Sequence, residues 1–381
     1  MAAIASVAIN LRIALSSVSA LVKDIIDATG WSATLVGTLT TIPVLCMGAF
    51  ALFVPRIAGR IGRRRTVGLA LALMTLALTA RLGADVPGVL HVSVFAAGVS
   101  IALAGGLVPS LVREELPDSV GRATGTWTAA MMTGAALGGA LTVPLADALG
   151  SWPKALAFWA VPAAIGLAVW TFTEGRRVET RDATRPPARI GELPWRNRTA
   201  WALTAYLALN SICFYTSLAW LAPSYVERGW DRAGAGWLLG LYTASQVFAA
   251  LVMPAIAERS RHRRVVYAVV LAGVTVTLLM IGWAPEVLPV LAVAVQGATL
   301  GAGFAMGLAL LSEYAADAGG SARLTAMAFS ITYLTAATGP FIAGALLDLF
   351  DSWQLVFTLL AFASVVQFLT IPALRRGVRI N

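Results

Sequence analysis

The chain has 381 residues, 58% of them hydrophobic and only 12% charged, with a mean hydropathy of +0.78. Soluble domains carry about 25% charged residues, so the composition excludes a water-soluble enzyme or binding module and implies an integral membrane protein. The net charge of +9, from 28 basic and 19 acidic residues, would suit a nucleic-acid partner only if it were clustered on a soluble surface, and its distribution follows membrane topology instead.

Twelve apolar runs long enough to cross a bilayer are expected at residues 4–22, 34–54, 66–82, 89–111, 123–145, 156–172, 200–225, 236–256, 265–283, 288–311, 325–347 and 355–374. No basic region precedes the first run and no small-residue cleavage site follows it, so no cleavable signal peptide is expected. The chain begins almost inside that run, which leaves room for a short native leader. Arg12 lies near the centre of the first run and is its only charge. At ~1.5 Å per residue it is roughly 12–15 Å from either end, too deep to reach water along its own side chain. A charge at that depth costs at least about 2.5–3.5 kcal/mol and faces a protein interior or an aqueous cavity. Capture of an anionic or strongly polar solute is the sharper reading, and bonding to carbonyls of a neighbouring helix the plainer one. Cys46 and Cys213 fall inside apolar runs and read as small hydrophobes, not as a disulfide or metal pair.

Arginine counting sets the expected orientation. With the N-terminus cytoplasmic, the inward loops and the C-terminus hold 22 of the 28 basic residues, against five (Lys23, Arg81, Lys154, Arg228 and Arg232) in the outer loops. The termini are therefore expected in the cytoplasm. Residues 174–198 form the longest polar segment, charged and containing Pro186 and Pro187. They read as a cytoplasmic linker between two six-helix bundles, residues 1–173 and 199–381. Its arginines are also placed to touch anionic lipid headgroups.

The two halves repeat at an offset near 199. Gly30-Trp31 corresponds to Gly229-Trp230, Gly37 to Gly236, Pro55 to Pro254, Arg64-Arg65 to Arg263-Arg264, Gly98 to Gly297 and Glu114 to Glu313. Asp147 and Ser151-Trp152 correspond to Asp348 and Ser352-Trp353 at an offset of 201. Order and spacing kept over more than a hundred residues point to pseudo-symmetric bundles with a solute site between them near the midplane. Arg12 falls opposite Ser211, so its charge has no copy in the second half.

The loop Gly59-Arg60-Ile61-Gly62-Arg63-Arg64 resembles the signature of the major facilitator superfamily, with Gly59 where the signature has aspartate, while the second-half copy keeps an acid at Glu258. Within that superfamily the chain resembles the cyanate and 2-nitroimidazole transporter (CynX/NimT) family over nearly its whole length. The resemblance rests on Asn10-Leu11-Arg12 with Ser17-Val18, on Leu107-Val108-Pro109, on Gly134 through Gly138 with Val143-Pro144-Leu145, on Phe214-Tyr215 with Ala219-Trp220-Leu221, and on Gly339-Pro340 with Asp348 and Trp353. It departs at Asn210, where glutamine is usual, and at Ser312-Glu313, where a basic residue is usual. It implies a twelve-helix, all-α membrane protein of two pseudo-symmetric six-helix bundles: a secondary transporter of the bacterial inner membrane whose cargo ranges from a small anion to a neutral nitroaromatic.

All nineteen carboxylates fall in loops or at helix ends, so the buried acid commonly used for proton coupling is missing. A proton carried by the solute or a counter-substrate is the expected alternative, and His91 is a secondary candidate for titration. The groups complementary to one guanidinium should be hydrogen-bonding and aromatic. The candidate substrate-binding set is Asn10, Arg12 and Ser16 on the first helix, Trp127 on the fifth, Asn210, Phe214 and Tyr215 on the seventh, Tyr242 and Gln246 on the eighth and Tyr333 on the eleventh. For each, interhelical packing is the competing reading. Trp31, Trp220 and Trp230 read as interfacial belt anchors. Short glycine runs, Gly134 through Gly139 and Gly297, Gly301 and Gly303, read as close-packing surfaces. No enzyme signature, cofactor motif or metal-spaced cluster occurs, no nucleic-acid partner is expected, and a monomer is. An efflux carrier for neutral planar compounds is the alternative function.

Overall fold

The computed structural model describes residues 2–51, 53–86, 88–115, 120–173, 193–314 and 318–373. These are helical almost throughout, and twelve helices are long and apolar enough to cross a membrane. Spans 1 to 6 are Ala2–Ala20, Ala33–Phe50, Arg63–Gly83, Val89–Val108, Thr126–Leu149 and Trp152–Thr173; spans 7 to 12 are Arg198–Val226, Arg232–Arg259, Arg263–Trp283, Pro289–Leu311, Arg323–Phe350 and Trp353–Ala373. All twelve expected runs are present, with ends shifted by a few residues. Most of the expected linker, residues 174–192, and the C-terminal arginines lie outside the described residues.

Local chemistry explains where the helices stop. Span 1 is followed by a separate short helix, Val22–Thr29, closed by Gly30 at φ 66°. The copy of that turn in the second half closes on Gly229 at φ 92°. Glycine is needed at both because a side chain is disfavoured at positive φ. Two residues later each half starts its next span on a side-chain cap: Ser32 accepts from the Leu35 N–H and Asp231 from the Gly234 N–H. Span 2 stops at Phe50, and the chain continues as the helix Val54–Ile61; Gly62 at φ 92° then turns it into span 3. Span 6 breaks at Trp159 into Trp152–Phe158 and Ala160–Thr173. Pro162, four residues after Phe158, has no N–H to continue that ladder.

The sequence repeat is a packing repeat. Span 1 packs on span 5 as span 7 packs on span 11, span 2 on span 4 as span 8 on span 10, and span 3 on spans 4 and 6 as span 9 on spans 10 and 12. The bundles meet through span 2 against span 11 and span 5 against span 8. Glycines allow each approach. A methyl group on Gly98 would lie 2.6 Å from Pro43 Cα, and its counterpart on Gly297 would collide with the Tyr242 carbonyl. Gly138 lies against Ile13 and Ser16 as Gly339 lies against Ile212 and Thr216. Between bundles, Gly37 faces the Pro340 carbonyl while Gly236 faces that of Gly139. Without a hydrophobic force between helices in lipid, such small-residue approach is what holds them together.

Two expectations are corrected. Trp220 is not a belt anchor: it is 2% exposed, its Nε1 donates to the Pro340 carbonyl at 2.9 Å, and its ring lies beside Trp353. Span 7 has neighbours on all sides, so its tryptophan finds an internal partner. Arg81 is not an outer-loop charge but is wholly buried in a 3₁₀ turn at the end of span 3. Spans 1 and 4 close over it.

Candidate functional site

Span 1 holds Arg12 in place through both flanks. Asn10, one residue-pair earlier, is buried and its Nδ2 donates to the carbonyls of Ser6 (2.7 Å) and Pro162 (3.1 Å), tying span 1 to span 6. Ser16 Oγ donates back to the Arg12 carbonyl at 3.1 Å and lies against Gly138. The Asn10 amide nitrogen and the Ser16 hydroxyl are therefore engaged within the first bundle, while Asn10 Oδ1 is buried without a hydrogen-bond partner among the described residues.

The Arg12 side chain leaves that bundle. Its guanidinium carbon lies 5.3 Å from the Phe214 ring centroid and 5.7 Å from that of Tyr215, both on span 7 of the other bundle. The residue is only half-buried, yet Nη1 is buried without a hydrogen-bond partner among the described residues. Cation–π contacts are worth about 0.5–2 kcal/mol, less than the several that a guanidinium loses on leaving water, so its donor capacity is left partly unused.

Behind Arg12 runs a connected series of rings. Phe214 stacks on Tyr242 (5.9 Å, 19°) and meets Tyr215 edge-on at 4.8 Å; Tyr215 meets Tyr333 at 6.3 Å, and Tyr333 meets Phe329 at 5.8 Å. Tyr242 is fixed by donating to the Phe214 carbonyl at 3.1 Å, and the Tyr215 hydroxyl points at Met47 Sδ, 3.8 Å away on span 2. Tyr333, Phe329 and Met47 are half-buried, whereas Phe214, Tyr215 and Tyr242 are buried.

The structure thus brings together Arg12, Phe214, Tyr215, Tyr242 and Tyr333. It directs the others elsewhere: Asn210 Nδ2 donates to the Leu300 carbonyl at 3.2 Å, Gln246 Nε2 to the Tyr242 carbonyl at 3.2 Å, and Trp127 packs into the apolar core. Met47 and Phe329 were not legible as site residues, because an apolar side chain in an apolar run carries no local signal. His91 is bound through Nε2 to Thr38 Oγ1 at 3.1 Å and lies beside Trp31.

At the arginine-poor end the bundles are pinned together. Arg232 Nη2 of the second bundle lies 2.6 Å from Asp24 Oδ1 and 3.2 Å from Asp147 Oδ1 of the first. Burial pushes the Asp24 carboxyl up from its ordinary value, against the opposing pull of Arg232. In the symmetry-related place, Asp348 of the second bundle accepts from the Ala33 and Thr34 N–H groups at 2.7 and 2.8 Å, and from Thr34 Oγ1. A carboxylate there also complements the positive N-terminal end of span 2. Among the described residues no group of three or more His, Cys, Asp or Glu side chains is arranged to hold a metal ion.

The sequence profile described as Major Facilitator Superfamily matches residues 3–231 and 222–379. The cyanate transport protein CynX of Escherichia coli (strain K12) is 30% identical over 346 residues, covering 89% of this chain and 88% of that protein. The 2-nitroimidazole transporter of the same organism is 28% identical over 353 residues, 93% of this chain and 89% of its own. The uncharacterized transporter YycB of Bacillus subtilis (strain 168) is 28% identical over 364 residues, 94% and 89% respectively. Among solved structures, the nucleoside transporter NupG superposes with a TM-score of 0.80 at 12% identity over 98% of this chain and 99% of its own. A bacterial homologue of the lysosomal transporter Spinster, inward-facing and occupied, gives 0.75 at 14% over 98% and 93%. Those two likenesses are of fold alone.

Proposed function

The chain belongs to the Major Facilitator Superfamily, and within it to the cyanate/2-nitroimidazole transporter family, and from that premise we propose that it carries a small anion across the bacterial inner membrane by alternating access, with Arg12 as the anion-holding group. As a transporter of this family it takes a small molecule as substrate. One observation carries the finer reading: a half-buried guanidinium crosses between the bundles and keeps a buried Nη1 without a partner among the described residues. A carboxylate or small inorganic anion is the chemistry that would complete it, bidentately where the anion is planar. Asn10, Ser16, Asn210, Gln246 and Trp127 then position the site-bearing helices, while Phe214, Tyr215, Tyr242 and Tyr333 line it. The pinned arginine-poor end, taken as the outer one, supports a state closed to the outside, with both termini in the cytoplasm. The deciding experiment is saturable uptake of cyanate, nitrate or a small carboxylate into proteoliposomes. Arg12→Ala abolishes it and Arg12→Lys weakens it severely while the protein stays folded; undiminished uptake by Arg12→Ala removes the reading.

The ring series supports a second reading, efflux of neutral planar compounds, in which Arg12 is a strut between bundles. Resistance of cells to a neutral nitroimidazole that is insensitive to Arg12→Gln is the result it requires.

A further inference from the structure

We propose that Arg81 is a second, remote cation of the transport site: a specificity-determining residue that does not touch the solute but keeps the potential around Arg12 positive. The inference rests on the anion reading above. Arg81 is wholly buried, and its three hydrogen-bond partners among the described residues are neutral: Nε donates to Ser93 Oγ (3.0 Å), Nη1 to Ser17 Oγ (3.4 Å) and Nη2 to the Ala14 carbonyl (3.1 Å). The carboxylates of the same end are engaged or solvated. Asp27 pairs with Lys23, Asp24 and Asp147 with Arg232, Asp348 caps span 2, and Asp85 is exposed.

Clamping spans 1, 3 and 4 takes N–H donors alone, and a neutral amide supplies two of them at much lower desolvation cost than a guanidinium, which brings a wider fork and a fixed charge together. The charge itself therefore calls for an account. Arg81 grips span 1 through Ala14 and Ser17, which share one face of the helix. Arg12 lies about 160° round the axis from Ala14 and two residues along it. Helix dimensions then put the two guanidiniums on opposite sides of span 1, on the order of 10–15 Å apart. At an effective permittivity of about 20, unit charges at that distance change an ionisation or a binding equilibrium about tenfold. Arg81 thus favours an anion at Arg12 about tenfold over a neutral solute of the same shape and disfavours a cation by the same factor.

The test reads that field without any solute. On a Cys46→Ser, Cys213→Ser background, the thiol introduced by Arg12→Cys is titrated by the pH dependence of its reaction with uncharged N-ethylmaleimide. Arg81→Gln, which keeps a donor and removes the charge, raises the thiol pKa by about one unit. Arg81→Lys, which keeps the charge and loses the fork, leaves it within a few tenths. Ser93→Asp sets a carboxylate on Arg81 Nε and reproduces the shift of Arg81→Gln with the guanidinium still present, so the test survives if Arg81→Gln does not fold. A thiol titration unmoved by neutralising Arg81 through either route, or moved equally by Arg81→Lys, overturns the proposal. Failure of the anion reading shows separately, as absent anion uptake by a protein with both arginines intact.

Discussion

Arg12 of the first bundle rests its guanidinium on the Phe214 ring of the second, 5.3 Å from the centroid, while Phe214 is itself stacked on Tyr242. The contact joins the unduplicated charge of one half to the aromatic face of the other, so under the proposed anion reading an arriving anion would compete with Phe214 for the same cation. Phe214→Leu is expected to lower the apparent KM for anion uptake several-fold, in line with a contact of about 0.5–2 kcal/mol. Tyr215→Phe should leave uptake within twofold of the parent, since among the described residues the one hydrogen bond of the hydroxyl it removes is the weak one to Met47 Sδ at 3.8 Å. Paired uptake curves check both, and equal effects from the two substitutions would sink the assignment.

Gly134 has no room for a side chain, because a Cβ there would collide with the Ile9 carbonyl on span 1. Gly134→Ala should therefore destabilise the detergent-solubilised protein by about 1–3 kcal/mol, read as a lowered melting temperature. Gly105→Ala is the control: nothing lies within 4 Å of its new methyl, and it should melt at or slightly above the parent temperature.

The contacts between bundles are also close. A Cβ on Gly37 would sit 2.6 Å from the Pro340 carbonyl and one on Gly236 3.0 Å from that of Gly139. Either glycine replaced by valine should prise the arginine-poor end open. Spin labels at the exposed Asp85 and Asp351, one in each bundle, should report a longer distance in both variants. An unchanged distance distribution refutes the idea that these glycines permit closure.

Acid should favour the closed form. Burial raises the Asp24 carboxyl above its ordinary value despite Arg232, so the closed state binds this proton more tightly than a state with Asp24 in water. The stabilisation it adds is present at low pH and is lost as pH rises through the raised value. The same spin-label pair should shift towards its short-distance population as pH falls from neutral through that range. Asp24→Asn should remove the dependence; a shift that persists in that variant assigns it to another group.

Much of the fold was legible in the residues because bilayer crossing is a local property. Twenty apolar residues in a row make a span wherever they occur, and a turn copied as Gly30-Trp31-Ser32 and Gly229-Trp230-Asp231 makes the same helix start twice. Arg12 stood out for the same reason, as a charge in the middle of such a run. What each polar side chain bonds to is not local. Asn10 and Asn210 look alike as candidates near the midplane, and each gives its amide nitrogen to a carbonyl of its own bundle, at Pro162 and Leu300. Trp220, near the end of its run, turns inward to Pro340.

Sequence by itself determined the membrane class, the twelve crossings, the doubled architecture and the depth of Arg12, all of them set by hydropathy and spacing along the chain. Only the tertiary structure decided that Arg12 meets Phe214 and Tyr215, that Asn10 faces span 6, and that Arg81 is sealed under spans 1 and 4. Those outcomes depend on how helices rotate and cross, and in lipid that is fixed by the close fit of glycines such as Gly134, Gly138 and Gly339 against one neighbouring backbone.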